Sequence, residues 1–205
     1  SKGVFGANFL PGDRAFRRYL KAHEVSYPQL QGVSNNRWSV FVRENTAFND
    51  RLKLEVNYQQ ISDDYFLQDF SNNMTVMTES QLLQEGTLTY TGEHWFGRGM
   101  LQGYQTVNPI NQSPVHDIYQ RLPQIQVRGT YQDLPLKANF DVRAQYDLFR
   151  WPNHLEPEKL QGPRYHMNPV LWFDLRKPWG YIRPEAQLVE NGYDYFVTYI
   201  AENST

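Results

Sequence analysis

The chain contains no cysteine, which excludes an internal disulfide framework and any thiolate-bound metal. It has no run of about 18 apolar residues, so no transmembrane helix is written into it. Charge of neither sign dominates. Twenty Lys and Arg stand against 22 Asp and Glu, a net charge of -2, and nothing marks a partner for nucleic acid. Catalytic signatures are missing too. His23, His94, His116, His154 and His166 show no HExxH or other metal-ligand spacing. There is no GxSxG and no glycine-rich phosphate loop. Asp63–Asp64 and Glu156/Glu158 imitate a glycosidase carboxylate pair, but such pairs need a defined separation. They fall in polar loops, where Asp serves turn chemistry. No enzyme activity, catalytic residue, metal or cofactor is therefore expected. The chain opens SKGVFGANF, without Met and without an apolar signal segment, so a piece of a larger protein is expected.

What is present is aromatic and periodic. Aromatic residues make up 15% of the chain, including 14 Tyr and 5 Trp. The mean hydropathy of -0.68 is that of a soluble protein, yet barrel strands are only half apolar and carry a weak hydropathy signal. Leu136–Leu148, LKANFDVRAQYDL, alternates throughout. Leu136, Ala138, Phe140, Val142, Ala144, Tyr146 and Leu148 share one face; Lys137, Asn139, Asp141, Arg143, Gln145 and Asp147 share the other. A strand tilted across a bilayer needs about 9–11 residues, and this one is long enough.

Alternation and turn residues divide the chain into about nine strands. They are predicted near 3–10, 37–45, 51–61, 81–91, 94–107, 121–132, 136–148, 164–176 and from Tyr181 to about Val189, with a possible extension to Phe196. Connections alternate long and short, as in outer-membrane barrels with short periplasmic turns and longer outer loops. Nine is odd, whereas bacterial barrels use even numbers. The expected fold is therefore all-β: an antiparallel transmembrane β-barrel, present as a partial wall with open edges. Residues 1–205 form one such segment. Pro123, Pro169 and Pro184 fall within predicted strands and mark bulges or shifted boundaries. Gly97, Gly99 and Gly103 share a face and predict a bend or the close approach of another body.

Four segments carry a family resemblance: Gly6–Asp13, GANFLPGD; Arg51–Phe70, RLKLEVNYQQISDDYFLQDF; Pro123–Phe149; and Trp179–Tyr193, WGYIRPEAQLVENGY. The most specific piece is S-D-x-Y-F-x-x-D-F at Ser62–Phe70. The chain from Gly6 to about Tyr195 resembles the β-barrel of the LptD family, the lipopolysaccharide-assembly proteins of Gram-negative outer membranes. The resemblance implies an outer-membrane location. It implies lipopolysaccharide received over a periplasmic bridge through a jellyroll domain, a saccharide path through the barrel lumen, an LptE lipoprotein plug and surrounding membrane lipid. The jellyroll, the gate strands and the family's cysteines are expected to lie outside this chain.

Two residue sets are candidates for contact with such a cargo. Gly12–Glu24 predicts a short helix capped by Asp13. Arg14, Arg17, Arg18 and Lys21 sit on one face, with Phe16, Tyr19 and Leu20 opposite. Loop-length parity puts this helix on the extracellular side, where Arg matches lipopolysaccharide phosphates. Its plain alternative is a solvated amphipathic helix capping the barrel. Lys53, Glu55, Asn57, Asn139, Asp141, Arg143 and Gln145 are candidate lumen-lining residues. They either line a wet path or form cross-strand ion pairs and touch the plug. Trp95, Tyr104, Tyr131, Phe149, Trp151, Trp172, Trp179 and Tyr181 lie near strand ends and read as an aromatic girdle rather than a ligand platform. Asn73-Met74-Thr75 and Asn203-Ser204-Thr205 match the glycosylation pattern, which a bacterial origin leaves unused. Two competing readings share period two. One is a soluble carbohydrate-binding β-sandwich, with one face core and the other solvent. The other is a general porin-like barrel.

Overall fold

A computed structural model of the chain describes residues 1–71, 79–111, 113, 115–152 and 159–196. The two glycosylation patterns, His154, Glu156 and Glu158 lie outside the described residues. Among the described residues there are eight long strands: β1 (Lys2–Leu10), β2 (Arg37–Ala47), β3 (Leu52–Ile61), β4 (Gln81–Thr91), β5 (Trp95–Thr106), β6 (Gln120–Leu134), β7 (Ala138–Arg150) and β8 (Gly162–Phe173). Four short ones follow: β9 (Leu175–Lys177), β10 (Gly180–Ile182), β11 (Glu185–Gln187) and β12 (Glu190–Tyr193). Strand order follows chain order from β1 to β8, and β11 and β12 both pair with β8. The all-β antiparallel expectation is borne out. No described helix is long and apolar enough to cross a membrane, which says nothing about crossing by strands.

The chain divides into two compact units: Ser1–Asn45, Val56–Glu85 and Gly103–Ile118 form one, and Thr46–Glu55, Gly86–Gln102 and Tyr119–Thr205 form the other. In the first, β1 pairs with β2 from Lys2↔Asn45 to Leu10↔Arg37. The long connection between them holds α1 (Arg14–His23), whose N-terminus is capped by Asp13 as the sequence predicts. A second helix, α2 (Phe66–Phe70), lies in what reads from sequence as a polar loop. Its five residues are too few to display a helical period. Phe16 and Leu20 of α1 pack with Leu30 and Tyr65. Phe66 of α2 packs with Ile61, Leu82 and Val107.

In the second unit, β6, β7 and β8 are laid side by side, with Arg143 opposite both Arg128 and Asn168. The 13-residue strand predicted at Leu136–Leu148 is instead Ala138–Arg150. Pro135–Lys137 form a 3-10 turn in which Leu136 and Lys137 have φ of 64° and 58°. The reversal of the chain takes up these left-handed residues, and extended pairing starts only after them. Pro123 sits where the register shifts between Arg121 and Gln124, a bulge; Pro169 stays in β8 opposite Val142; Pro184 precedes β11 and is outside any strand.

The last predicted strand is broken. Gly180–Ile182 folds back on Leu175–Lys177 as a hairpin. Only β11 and β12 return to β8, opposite Val170–Trp172 and Arg164–Met167 respectively. Together they fill one interrupted ninth position. A Cβ at Gly97 or Gly99 would meet open space, so no described part of this chain approaches them closely. The register irregularity between Met100 and Gln102 lies beside them.

Candidate functional site

Burial on β6, β7 and β8 is inverted relative to a soluble sheet. Gln124, Asn139, Asp141 and Asp147 are buried, whereas Ile125, Val127, Tyr146, Tyr165, Met167 and Leu171 are exposed. Alternation puts the first set on one face and the second on the other. The polar face is knitted by two carboxylates. Asp141 accepts from the Thr130 hydroxyl at 2.8 Å, from Arg128 at 3.2 Å and from Arg143 at 3.0 Å. Asp147 accepts from Gln145 and Arg164, both at 2.7 Å, and from Gln124. Arg128 and Arg143 face each other directly across the strands, a repulsive arrangement, and the shared Asp141 resolves it. The cations remain outermost. The Arg128 and Arg143 side chains are 52% and 60% exposed, against 10% for Asp141. The result is a surface of guanidinium donors over a buried layer of anions.

Of the predicted lumen set, Asn139, Asp141, Arg143 and Gln145 fall together in or beside this network; Gln145 also binds Gln126 and Asn139 binds Asp174. Lys53, Glu55 and Asn57 lie on β3. Lys53 and Glu55 are exposed. The Asn57 Oδ1 is buried without a partner among the described residues. It lines a cavity of about 270 Å³ with Phe41, Ile61, Phe66 and Leu82. On α1, the exposed face carries Arg14, Arg17, Arg18 and Lys21, while Phe16 and Leu20 are buried. Arg17 donates to Asn35, and Arg18 to the carbonyl of Arg14.

The S-D-x-Y-F-x-x-D-F motif has a structural explanation centred on Arg37, which the sequence did not single out. Arg37 is 1% exposed. It grips Asp63 with two bonds and reaches Asp69 at 2.6 Å and Asp13 at 3.4 Å. Its guanidinium stands over the rings of Phe16, Phe70 and Phe66 at 4.2, 4.8 and 5.7 Å. Ser62 accepts from the Trp38 amide and donates to Asp63, and Tyr65 accepts from the Ile110 amide. The motif thus ties α1, α2 and the start of β2 into one node.

Amides of Phe16 and Ala15, the former foremost, hold the Asp13 carboxyl below the usual carboxylate range. Burial pushes Asp64 up, opposed by the Asn108 amide and reinforced by the charge of Asp63. Burial also raises the Tyr65 phenol. Asp63 is committed to Arg37, and among the described residues no three His, Asp or Glu come together as a metal-binding group.

The girdle expectation needs correction at three rings. Phe149 lies under Arg164, the same residue that binds Asp147, so it belongs to the polar face. Trp151 joins it through Tyr119. Trp172, opposite Asn139, falls on that face as well. Strand parity settles this: Asp147, Phe149 and Trp151 are two apart. Trp95 and Tyr131 do meet on the apolar face, joined by a 2.7 Å hydrogen bond, and the Trp95 ring covers Gly129.

Comparison with known proteins adds a relationship. A family model described as LPS transport system D matches residues 35–204. The chain is similar to an LPS-assembly protein LptD of Legionella pneumophila (strain Paris), 52% identical over 198 residues, covering 95% of this chain and 24% of that protein. It is 32% identical over 212 residues to the protein of that name from Coxiella burnetii (strain RSA 493 / Nine Mile phase I), with the same coverage. It is 29% identical over 192 residues to that of Pseudomonas aeruginosa (strain LESB58), covering 84% of this chain and 20% of the relative. The chain spans about a quarter, 24%, of the length of the first two relatives.

Proposed function

We propose a function from the premise that this chain belongs to the LptD family: it is part of the wall of an outer-membrane β-barrel through which the parent protein delivers lipopolysaccharide to the outer leaflet. The observation that carries this reading is the inverted burial of β6–β8. A soluble sheet hides its apolar face; this one exposes Ile125, Val127, Tyr146, Tyr165, Met167 and Leu171 and buries Asp141 and Asp147. Hydrocarbon outside and an aqueous lumen inside make that arrangement favourable. Long strands joined alternately by long and short connections agree with it.

In this role no bond is made or broken. Arg128, Arg143 and Arg164 offer donors to sugar hydroxyls and phosphates moving past the wall. Lys53, Glu55, Asn57, Asn139, Asp141 and Gln145 complete the lumen-lining set. Arg14, Arg17, Arg18 and Lys21 on α1 contact lipopolysaccharide phosphates at the outer end. LptE rests against the lumen face, and the periplasmic bridge feeds the barrel through a jellyroll outside this chain. The decisive experiment is partial depletion of the parent protein in its host, with lipopolysaccharide scored at the cell surface. Loss from the surface with accumulation in the periplasm or inner membrane supports the reading. Unchanged surface lipopolysaccharide overturns it.

A further inference from the structure

One end of the polar face of β6–β8 carries three aromatic rings and three cations. Tyr119 meets Trp151 edge-on with ring centroids 4.8 Å apart, and Phe149 at 6.3 Å. Arg164 and Arg121 stand over the Phe149 ring at 5.3 and 5.9 Å. The Lys159 ammonium lies 4.9 Å from the Trp151 ring centre. Among the described residues the carboxylate in this network is Asp147, which is 1% exposed and already accepts from Gln124, Gln145 and Arg164. Arg164 keeps 41% of its side chain exposed while bound to Asp147.

Trp151 adds a second, independent sign. It is 8% exposed, and its indole N–H has no hydrogen-bond partner among the described residues. Buried indole donors usually find an acceptor, and an unpaired one in a native structure calls for an explanation. A ligand oxygen would supply one.

Aromatic rings offer apolar faces to the C–H faces of sugars, and the planar guanidinium fork can donate two parallel bonds to phosphate oxygens. We infer that Tyr119, Phe149 and Trp151, with Arg121 and Arg164, form a platform that binds a phosphorylated saccharide. This rests on the reading of the polar face as the lipopolysaccharide path and deepens it: the platform grips the phosphorylated sugars at the end of the wall nearest the long connection after β7.

The test uses the full-length parent protein in its host, carrying a photo-reactive benzoylphenylalanine in place of Tyr119, Arg143 or Tyr146. Adducts are probed for lipopolysaccharide. Positions 119 and 143 are expected to yield them; position 146, on the apolar face, reports lipopolysaccharide already in the outer leaflet, and its yield should not respond to Arg121→Gln. Arg121→Gln should lower the yield at 119 several-fold and leave that at 143 unchanged. A host whose lipopolysaccharide core lacks phosphate should do the same. Adducts at 143 but none at 119 overturn the platform and leave the path standing. Adducts at neither position remove both. Adducts at 119 that ignore both Arg121→Gln and core phosphate overturn the assignment to a phosphorylated ligand. Adducts at 119 free of lipopolysaccharide do so for this cargo.

Discussion

Arg37 and Asp63 meet as a two-bonded pair, Nε to Oδ2 at 3.0 Å and Nη2 to Oδ1 at 2.8 Å, across 26 residues of chain. A fork-to-fork pair of this kind fixes orientation as well as charge. Arg37→Met would leave Asp63 buried without its partner, and removing one member of a buried pair costs about 3–5 kcal/mol. Arg37→Lys should rescue little, because an ammonium cannot make two parallel bonds. The double variant Arg37→Met/Asp63→Leu should recover much of the loss, since an apolar pair of similar volume is often as stable as the ions. Denaturant titration of the parent protein measures all three. Equal stability of Arg37→Met and the native protein would sink the node.

Asp64 sets a pH dependence. Its folded-state carboxyl is raised by burial, so between its unfolded and folded values the folded protein holds the extra proton. Stability therefore falls as pH rises through that window. Asp64→Asn removes the buried charge and keeps an oxygen for the Asn108 amide. The variant should be more stable than the native protein at neutral pH and equal to it in acid. Asp13 behaves oppositely: its lowered value contributes stability present above the unfolded value and lost as pH falls through the folded one. Melting curves of Asp64→Asn and Asp13→Asn across pH separate the two signs.

Asp141→Asn leaves Arg128 and Arg143 opposed with their shared carboxylate gone. The expected cost is about 1–3 kcal/mol, the range for a charged hydrogen-bond partner lost from a buried site. Adding Arg143→Gln should restore part of it, because one of the facing cations disappears. The shift in denaturation midpoint along this double-mutant cycle gives the coupling. A coupling of zero would mean that Asp141 and Arg143 do not sense each other.

Two glycines should respond unequally. Gly162 has φ of 146°, and a Cβ there would collide with the backbone carbonyl of Asp194. Gly6 lies beneath the Phe41 ring, which can turn aside. Gly162→Ala is expected to cost about 1–3 kcal/mol through backbone strain, and Gly6→Ala less. The reverse order would contradict the pairing of β8 with the residues after β12.

For α1, Arg14→Glu/Arg18→Glu should raise sensitivity of the host to large hydrophobic antibiotics several-fold. The apolar side of the helix is buried, so the fold should survive the change. Unchanged sensitivity would leave α1 as a solvated cap.

The legible and illegible parts of this fold divide by range. β4 is read from sequence at Gln81–Thr91 and found there, because period two is local. The Asp13 cap is equally local, bonding two and three residues on. Arg37 escaped notice because its partners lie 24, 26 and 32 residues away, and no spacing rule reaches so far. The turn at Leu136 was missed because a left-handed φ leaves no mark on alternation. The polar-face position of Phe149 and Trp151 was visible in the parity of β7. Position near a strand end points to a girdle, whereas the two-residue count from Asp147 points to the polar face.

The layering of charge on β6–β8 makes this wall a fixed-charge ion exchanger. Asp141 and Asp147 lie beneath the surface while Arg128, Arg143 and Arg164 are presented to solvent, three cations over two anions, so this patch favours anions as its mobile counter-ions. Within about 8 Å of such a surface at physiological ionic strength, chloride would be enriched and displaced by any polyanion that passes. Each displacement releases small ions to bulk water. Transit of a multiply phosphorylated cargo along the wall would then be favoured by counter-ion entropy and weakened by added salt, with no moving part in the protein.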